Sequence, residues 1–203
     1  MKALLKKDIF VLMRQMRMFL LMIAIFAVIP QMNMSIFAIV YCGMLPYTAM
    51  AYDERSKWDD LAAAMPYTVG DIVLSKYVLG WLAVGGATVL SALGNFIFGR
   101  FAAADFSMDA LLPSMCVGLL AMAVTLPPMF RFGVEKGRMF FIFLFVALAV
   151  GGAGLVQGIV GSDGEFPTGV AALIQLGIPL LAAAGTAVSV PLSMAMYKKR
   201  RSV

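Results

Sequence analysis

The sequence contains no histidine, only two cysteines and few charged residues. Of its 203 residues, 13% are charged and 62% are apolar, and the mean hydropathy is +0.93. Soluble domains are about half apolar and about one quarter charged, so this composition is typical of a protein that lies mostly in lipid. Without histidine, the commonest general base and the commonest metal ligand are both missing. Cys42 and Cys116 fall inside apolar runs, where a thiol behaves as a small hydrophobe.

Six apolar runs predict an all-α, polytopic membrane protein with about six transmembrane helices. A helix needs about 20 apolar residues to cross about 30 Å of hydrocarbon, so six helices leave only short loops in a single domain over residues 1–203. The runs cover residues 18–32, 34–51, 72–98, 111–130, 139–160 and 170–196. Because the first run is short, a hairpin that enters the bilayer only part of the way is the alternative.

The distribution of basic residues predicts that both termini lie in the cytoplasm. Lys and Arg accumulate in cytoplasmic loops close to the ends of spans. In the six-span arrangement, fifteen of the sixteen basic residues fall on one side, and only Arg100 falls on the other. The net charge of +5 is therefore a signal of membrane topology and does not indicate nucleic-acid binding.

Residues 1–17 predict an amphipathic elbow helix ahead of the first span. On a helical wheel its basic residues share an arc of about 140°, opposite most of its apolar residues. The basic set is Lys2, Lys6, Lys7, Arg14 and Arg17, and the apolar set is Leu4, Leu5, Ile9, Val11, Leu12 and Met16. Such a helix is expected in the inner interface of the bilayer, with its basic face toward anionic headgroups. A simple positive anchor for the first span is the alternative.

The polar segment between the second and third runs is longer than a connection between neighbouring spans requires. Ser56 predicts a helix N-cap, with Asp59 three residues later, and Pro66 is expected to end that helix. One apolar stripe on it would consist of Trp58, Leu61, Ala62 and Met65. Thr68 with Asp71 predicts a second cap, at which the third span begins. About nine residues at about 1.5 Å each cannot cross a bilayer. This short helix is therefore expected to rest on the lipid surface or to dock a soluble partner.

Ionisable side chains are confined to the loops and the ends of the predicted spans. Intramembrane acids and bases usually mark ion sites and proton relays, so an ion-coupled carrier lacks its expected coupling site. The most polar large side chains within the runs are Asn95, Gln157 and Gln175. They are expected to form interhelical hydrogen bonds, and a transport path lined by Gln175 is the alternative. Asp163 and Glu165 are the acids that an intramembrane protease would use, but their glycine-rich surroundings are typical of a turn.

The motifs around the long polar segment resemble a known family. The chain contains Asp53-Glu54-Arg55-Ser56-Lys57-Trp58-Asp59, then Met65-Pro66-Tyr67-Thr68 and Asp71-Ile72-Val73-Leu74-Ser75-Lys76-Tyr77. With its basic elbow, six runs and two charged loops, it resembles the ABC-2 type permeases, the membrane subunits of bacterial ATP-binding-cassette exporters, in their small six-span subgroup. Members often carry a basic residue soon after the Met-Pro turn, where this chain has Gly70.

The resemblance implies a non-catalytic permease that works with two copies of a cytoplasmic ATPase and with a second permease chain, identical or homologous. ATP and magnesium would bind to the ATPase, and this chain, which has no GxxxxGK[ST] sequence, would hold no cofactor or metal. By motif position, the coupling helix covers residues 54–65 of a loop over residues 53–71, and a second contact covers residues 131–138. The residues expected to couple the ATPase to transport are Glu54, Arg55, Trp58, Asp59, Asp60, Leu61, Met65, Pro66, Arg131, Glu135 and Lys136.

The predicted function is ATP-driven export of an amphipathic or hydrophobic substrate, such as a peptide, an antibiotic or a lipid-like molecule. The predicted location is the bacterial cytoplasmic membrane, and the predicted partners are the ATPase, a second permease and the lipid bilayer, with no nucleic acid. An ATPase-independent carrier or immunity protein is the alternative, and an intramembrane protease is a further one.

Overall fold

The computed structural model describes residues 2–28, 34–102, 111–137, 139, 142–143 and 168–201, and these are helical with short connections and no strand. Its helices are α1 (Lys2–Gln15), α2 (Arg17–Val28), α3 (Met34–Gly43), α4 (Leu45–Arg55), α5 (Trp58–Ala64), α6 (Val69–Ala102), α7 (Leu111–Phe132) and α8 (Thr168–Arg201). The all-α prediction is confirmed for this part of the chain.

Three of these helices contain a stretch that is long and apolar enough to cross a membrane. The stretches are Val69–Gly94 in α6, Leu111–Phe132 in α7 and Gly177–Lys199 in α8, and they correspond to the third, fourth and sixth predicted spans. A fourth candidate combines α1 and α2, which meet at a bend of 88°. The described residues thus support three or four spans, and the prediction of six is not confirmed.

The first two predicted spans differ from straight transmembrane helices. With 12 residues, α2 is about 18 Å long, which is shorter than the hydrocarbon core. The second run is divided at Met44 into α3 and α4, and Pro46 lies in the first turn of α4, where its missing N–H is tolerated. The fifth predicted span, residues 139–160, lies almost entirely outside the described residues.

The N-terminal helix α1 packs on α4 and α6 through an apolar stripe interrupted by one acid. Leu4, Asp8 and Leu12 are buried at four-residue spacing. The opposite face exposes Phe10 and Met13 beside basic residues. The predicted basic side is exposed, at Lys2, Lys6, Arg14 and Arg17, and the apolar side faces the protein through Leu4 and Leu12. The helix itself is present, and its place in the membrane interface stays a prediction.

One buried cluster joins the N-terminal helix, the two charged loops and the C-terminal helix. It includes Leu4 of α1, Ala62 of α5, Phe130 of α7, Val134 beyond α7 and Tyr197 of α8. We call this region the loop end of the bundle. The basic-residue count predicts that these four segments share one side of the membrane, and the structure places them together.

The helices α3 and α7 cross with their backbones almost in contact. A Cβ added to Gly43 would lie 2.6 Å from the carbonyl oxygen of Gly118, and one added to Gly118 would lie 3.2 Å from the carbonyl oxygen of Ile39. Only residues without a side chain allow this approach, so the two glycines fix the distance between the helices.

A proline in α7 creates a hydrogen bond between helices. Pro127 has no N–H to donate to the carbonyl of Ala123, four residues earlier. The hydroxyl of Ser189 in α8 donates to that carbonyl instead, at 2.5 Å. Because this uses the only proton of Ser189, its short hydrogen bond with Tyr77 of α6 has Tyr77 as the donor, and Ser193 then donates to Tyr77 at 2.8 Å. A directed chain of hydrogen bonds therefore joins α6, α7 and α8.

Ser189→Ala is expected to lower the free energy of unfolding by about 1–3 kcal/mol, because the buried carbonyl of Ala123 loses its donor. The loss should be smaller in a Pro127→Ala background, where an alanine N–H can donate to that carbonyl. Thr186→Val is the control, since among the described residues the Thr186 hydroxyl bonds only carbonyls of its own helix. Thermal unfolding in one detergent compares the unmodified permease with the three single variants and the double variant, and an equal loss from Ser189→Ala in both backgrounds would contradict the pairing.

Candidate coupling site

Two residues, Ser56 and Lys57, connect α4 to α5. The helix α4 continues to Arg55, and the Ser56 hydroxyl donates to the carbonyl of Asp53 at 3.1 Å. Lys57 has a left-handed backbone, with φ of 50°, and precedes α5 without a capping side chain. The prediction that Ser56 is the N-cap of the short helix is therefore wrong, because its hydroxyl is bonded at the end of α4. The predicted coupling helix over residues 54–65 shortens to Trp58–Ala64.

The other boundaries of this segment agree with the sequence. Met65 is extended, with φ of −98° and ψ of 154°, as expected before Pro66. Thr68 caps α6, because its hydroxyl oxygen accepts the N–H of Asp71 at 3.1 Å and its proton is donated to the Asp71 carboxylate at 2.7 Å. The second predicted cap is confirmed, and the next helix begins at Val69.

The helix α5 has an inner and an outer face. Ala62 is fully buried and Trp58 packs against the cluster at the loop end. Leu61 has 52% of its surface exposed, and Pro66 is also exposed. The predicted apolar stripe is therefore divided, with Leu61 pointing away from the bundle. The side chains of Asp59 and Asp60 lie outside the described part of the structure, so their predicted roles stay predictions.

A buried cluster of four charges lies beneath α5. Lys76 of α6 donates to Asp8 of α1 at 2.7 Å and to Asp53 of α4 at 2.5 Å. Lys7 contacts the same two acids, with Lys7–Asp53 and Lys7–Asp8 distances of 2.5 and 3.0 Å. The side chains of Lys76 and Asp8 are 4% and 2% exposed. Buried charges are stable only when paired, and two cations here neutralise two anions across three helices.

Sequence analysis missed this cluster. The sequence placed Lys7 on the basic face of the elbow helix and Lys76 in a family motif, and it gave Asp8 no role. One signal was available, because Asp8 is the single acid of α1 and lies four residues from both Leu4 and Leu12, on the face that is buried. An acid within an apolar stripe requires a buried partner.

Lys7 also connects the charge cluster to α5. Its ammonium group lies over the ring of Trp58, 4.1 Å from the ring centroid, in a cation–π contact. Through this one side chain, α1 contacts α4 by ion pairing and α5 by its aromatic ring. Trp58 is therefore fixed between the apolar cluster and the charge cluster.

Glu54 joins the two charged loops. The helix α7 ends at Phe132, and Gly133 follows with φ of 82°, its N–H donating to the carbonyl of Met129 at 3.0 Å. A new helical turn over residues 134–137 then begins, and a carboxylate oxygen of Glu54 accepts the N–H of Val134 at 2.8 Å. The first N–H groups of a helix have no partner within it, so Glu54 caps this turn from another helix.

The second loop presents the remaining predicted residues to the outside. Arg131, Glu135 and Lys136 are all exposed near this junction. Glu135 also lines a cleft of about 620 Å³ between α4 and the turn after α7. The residues around this cleft are Tyr47, Ala51, Glu54, Arg55, Val134 and Glu135. The structure thus brings predicted residues of both loops together.

The comparison with protein families covers all of these elements. A family described as "ABC-2 family transporter protein" matches residues 3–198. The chain belongs to the ABC-2 transporter family. The resemblance found in the sequence is confirmed, and this ABC-2 permease is a membrane protein of a transport system, in a family of generally non-catalytic membrane subunits. No curated protein and no solved structure matches the chain.

In the permease, the predicted coupling residues fall into two groups. Glu54 accepts a hydrogen bond from the second loop, and Trp58 contacts Lys7 of α1. The residues of the other group are exposed at the loop end, namely Leu61, Pro66, Arg131 and Lys136. The first group attaches α4 and α5 to neighbouring elements, and the second group forms an exposed surface at the same end of the bundle. Contact of this surface with an ATPase stays a prediction.

Proposed function

We propose that this permease is the membrane subunit of an ATP-driven exporter of amphipathic or hydrophobic molecules. It works with two copies of a cytoplasmic ATPase and with a second permease chain, identical or homologous. The observation that carries the proposal is the construction of α5, which is tied to the bundle on its inner face while Leu61 faces outward.

The contacts beneath α5 support a mechanical role. A force applied to α5 from outside acts on Trp58, which is held by Lys7, and Lys7 is paired with Asp53 and Asp8. Both acids pair with Lys76 at the start of the long helix α6. Buried ion pairs resist separation because an unpaired charge in an apolar site is costly. Motion of α5 is therefore passed to α1, α4 and α6 together.

The same arrangement supports the proposed topology. We place the loop end in the cytoplasm of a bacterial cell, because it gathers the segments that hold fifteen of the sixteen basic residues. With α2 entering the bilayer, the bend of 88° is consistent with the proposed position of α1 along the membrane surface as an elbow helix. Both charged loops then face the compartment that contains ATP.

Affinity purification of the full-length permease from its native membranes tests the exporter assignment first. We expect an ATPase with Walker motifs to co-purify, and its ATP hydrolysis to change when the complex is placed in lipid nanodiscs. If no ATPase is recovered, and flux is driven by an ion gradient without ATP, the assignment is wrong and an ATPase-independent carrier takes its place.

Leu61→Asp then tests the role of α5. Because Leu61 is exposed, the folded permease should tolerate the aspartate, whereas an apolar contact with the ATPase should not. We expect the affinity for the ATPase to fall at least about tenfold, which corresponds to about 1.4 kcal/mol. Leu61→Met, which keeps an apolar side chain, is the matched control. Unchanged affinity and unchanged ATP hydrolysis in Leu61→Asp would show that α5 does not dock the ATPase.

A further inference from the structure

An apolar pocket of about 420 Å³ lies beside the charged cleft, at the break between α3 and α4. Its lining comes from four parts of the chain, namely Met16, Phe19, Tyr41, Met44, Leu45, Tyr47, Thr48, Met129 and Ile142. This volume falls in the range of about 300–1,000 Å³ that is usual for small-molecule sites. Three methionines in the lining give it a surface that adapts to ligands of different shape.

The pocket exists because the second predicted span is broken. Met44 leaves the helical path with ψ of −4°. Its carbonyl accepts both the backbone N–H of Thr48, at 3.2 Å, and the Thr48 hydroxyl, at 3.3 Å. Phe19 of α2 packs edge-on against Tyr41 of α3, with ring centroids 6.1 Å apart. Discontinuous helices in membrane transporters characteristically line binding sites.

The pocket and the cleft share Tyr47, so they meet at one side chain. From there, one face of α4 continues through Ala51 to Glu54 and Arg55, at helical spacings of four, seven and eight residues. This face extends about 12 Å at about 1.5 Å per residue. Its polarity changes along that length, from the apolar pocket at Tyr47 to the charged residues at the other end.

The charge of the cleft selects the polar group that can bind there. Glu54 and Glu135 contribute two carboxylates, and Arg55 contributes one guanidinium group, which leaves the lining with a net negative formal charge. Arg131 and Lys136 are exposed nearby, but within the lining two carboxylates face one guanidinium group, so a cationic headgroup is attracted more strongly there than an anionic one. The ring of Tyr47 at the junction provides a further surface that favours a cation.

We infer that the pocket and the cleft form one binding site for an amphipathic cation, with its apolar part among the methionines and its cationic head beside Glu135. The inference rests on the proposed function in one respect, because it names the class of molecule that the exporter receives. Binding itself requires only the permease chain.

Equilibrium binding to the full-length permease in phosphatidylcholine nanodiscs tests the inference. Three labelled probes with the same chain length are compared, namely dodecyltrimethylammonium, dodecyl sulfate and dodecanol. We expect saturable binding of the cationic probe at one site per chain, and binding of the anionic probe that is weaker by about tenfold or more. Non-saturable partitioning of the cationic probe, equal to that of empty nanodiscs, would overturn the inference, as would equal affinity for the anion.

Two substitutions separate the two halves of the site. Glu135→Gln removes an exposed charge, so it should lower the affinity for the cationic probe about fivefold and leave the affinity for dodecanol unchanged. Tyr41→Ala removes part of the pocket lining, so it should lower the affinity for both the cationic probe and dodecanol. The matched controls are Lys136→Gln, an exposed neighbour of opposite charge, and Leu90→Ala, an exposed apolar residue of α6. If Glu135→Gln and Lys136→Gln have the same effect on the cationic probe, the head-group assignment is wrong.

The outcome is independent of the ATPase experiments. Saturable cation binding that persists in Leu61→Asp, together with failure to recover an ATPase, would overturn the exporter assignment and retain this site. An intact ATPase complex whose permease shows only non-saturable binding would retain the exporter assignment and overturn this site.

Discussion

Replacing Lys76 by methionine is expected to lower the free energy of unfolding by about 3–5 kcal/mol, the usual cost of removing one partner from a buried ion pair. Methionine keeps most of the volume, so the loss comes from charge. Asp8 and Asp53 would share Lys7 alone, and Asp8 is almost completely buried. Thermal unfolding of the purified permease in one detergent measures the change.

The reason for that loss can be tested by removing the opposite charge as well. The double variant Asp8→Leu with Lys76→Met replaces a buried pair by two apolar side chains, which is often close to neutral. It should therefore recover much of the stability lost in Lys76→Met. Lys136→Met is the control, because Lys136 is exposed and its replacement should change stability by less than about 0.5 kcal/mol. Equal effects of the Lys76 and Lys136 substitutions would contradict a structural role for the charge cluster.

The second large effect is expected for Gly43→Val, which should destabilise the permease by about 1–3 kcal/mol or more. Its Cβ would lie 2.6 Å from the carbonyl oxygen of Gly118, and a backbone atom cannot rotate away as a flexible side chain can. The helices α3 and α7 must then separate, which reduces their packing along the rest of the interface. The midpoint of thermal unfolding is again the measurement.

Gly85 in α6 provides a control, because its substitution should not lower the stability of the permease. A Cβ at Gly85 meets nothing within 4 Å, and alanine is favoured over glycine inside a helix by about 0.5–1 kcal/mol. Gly85→Ala should therefore be neutral or slightly stabilising. If Gly43→Val and Gly85→Ala shift the midpoint in the same direction, the close crossing of α3 and α7 is not what determines stability.

Local signals in the sequence predict the local features of this fold. The cap formed by Thr68 and Asp71 depends on residues three apart, and it is present where it is predicted. The end of α5 before Pro66 depends on adjacent residues and is also confirmed. The cap at Ser56 fails for a local reason as well, because two helices compete for one hydroxyl and α4 uses it.

Features that depend on tertiary packing could not be predicted from sequence patterns. Lys76 and Asp8 are separated by 68 positions, so neither residue indicates its partner. Pro46 is visible in the second apolar run, but a proline alone does not distinguish a bent span from the break at Met44. The family motif identified Glu54 and Trp58 as candidate coupling residues without indicating their contacts to Val134 and Lys7. Their role in coupling stays a prediction.

The sharp bend between α1 and α2 acquires a specific meaning from the charge cluster. Asp8 lies at the middle of α1, and it is bound there to Lys76 of α6. Leu4 and Leu12 are buried on either side of Asp8, so α1 is attached to the bundle along most of its length. If α2 tilts relative to α6, the angle between α1 and α2 must therefore change at Met16, which lies between the two helices. Met16 also lines the apolar pocket, so such a tilt would change the shape of that pocket.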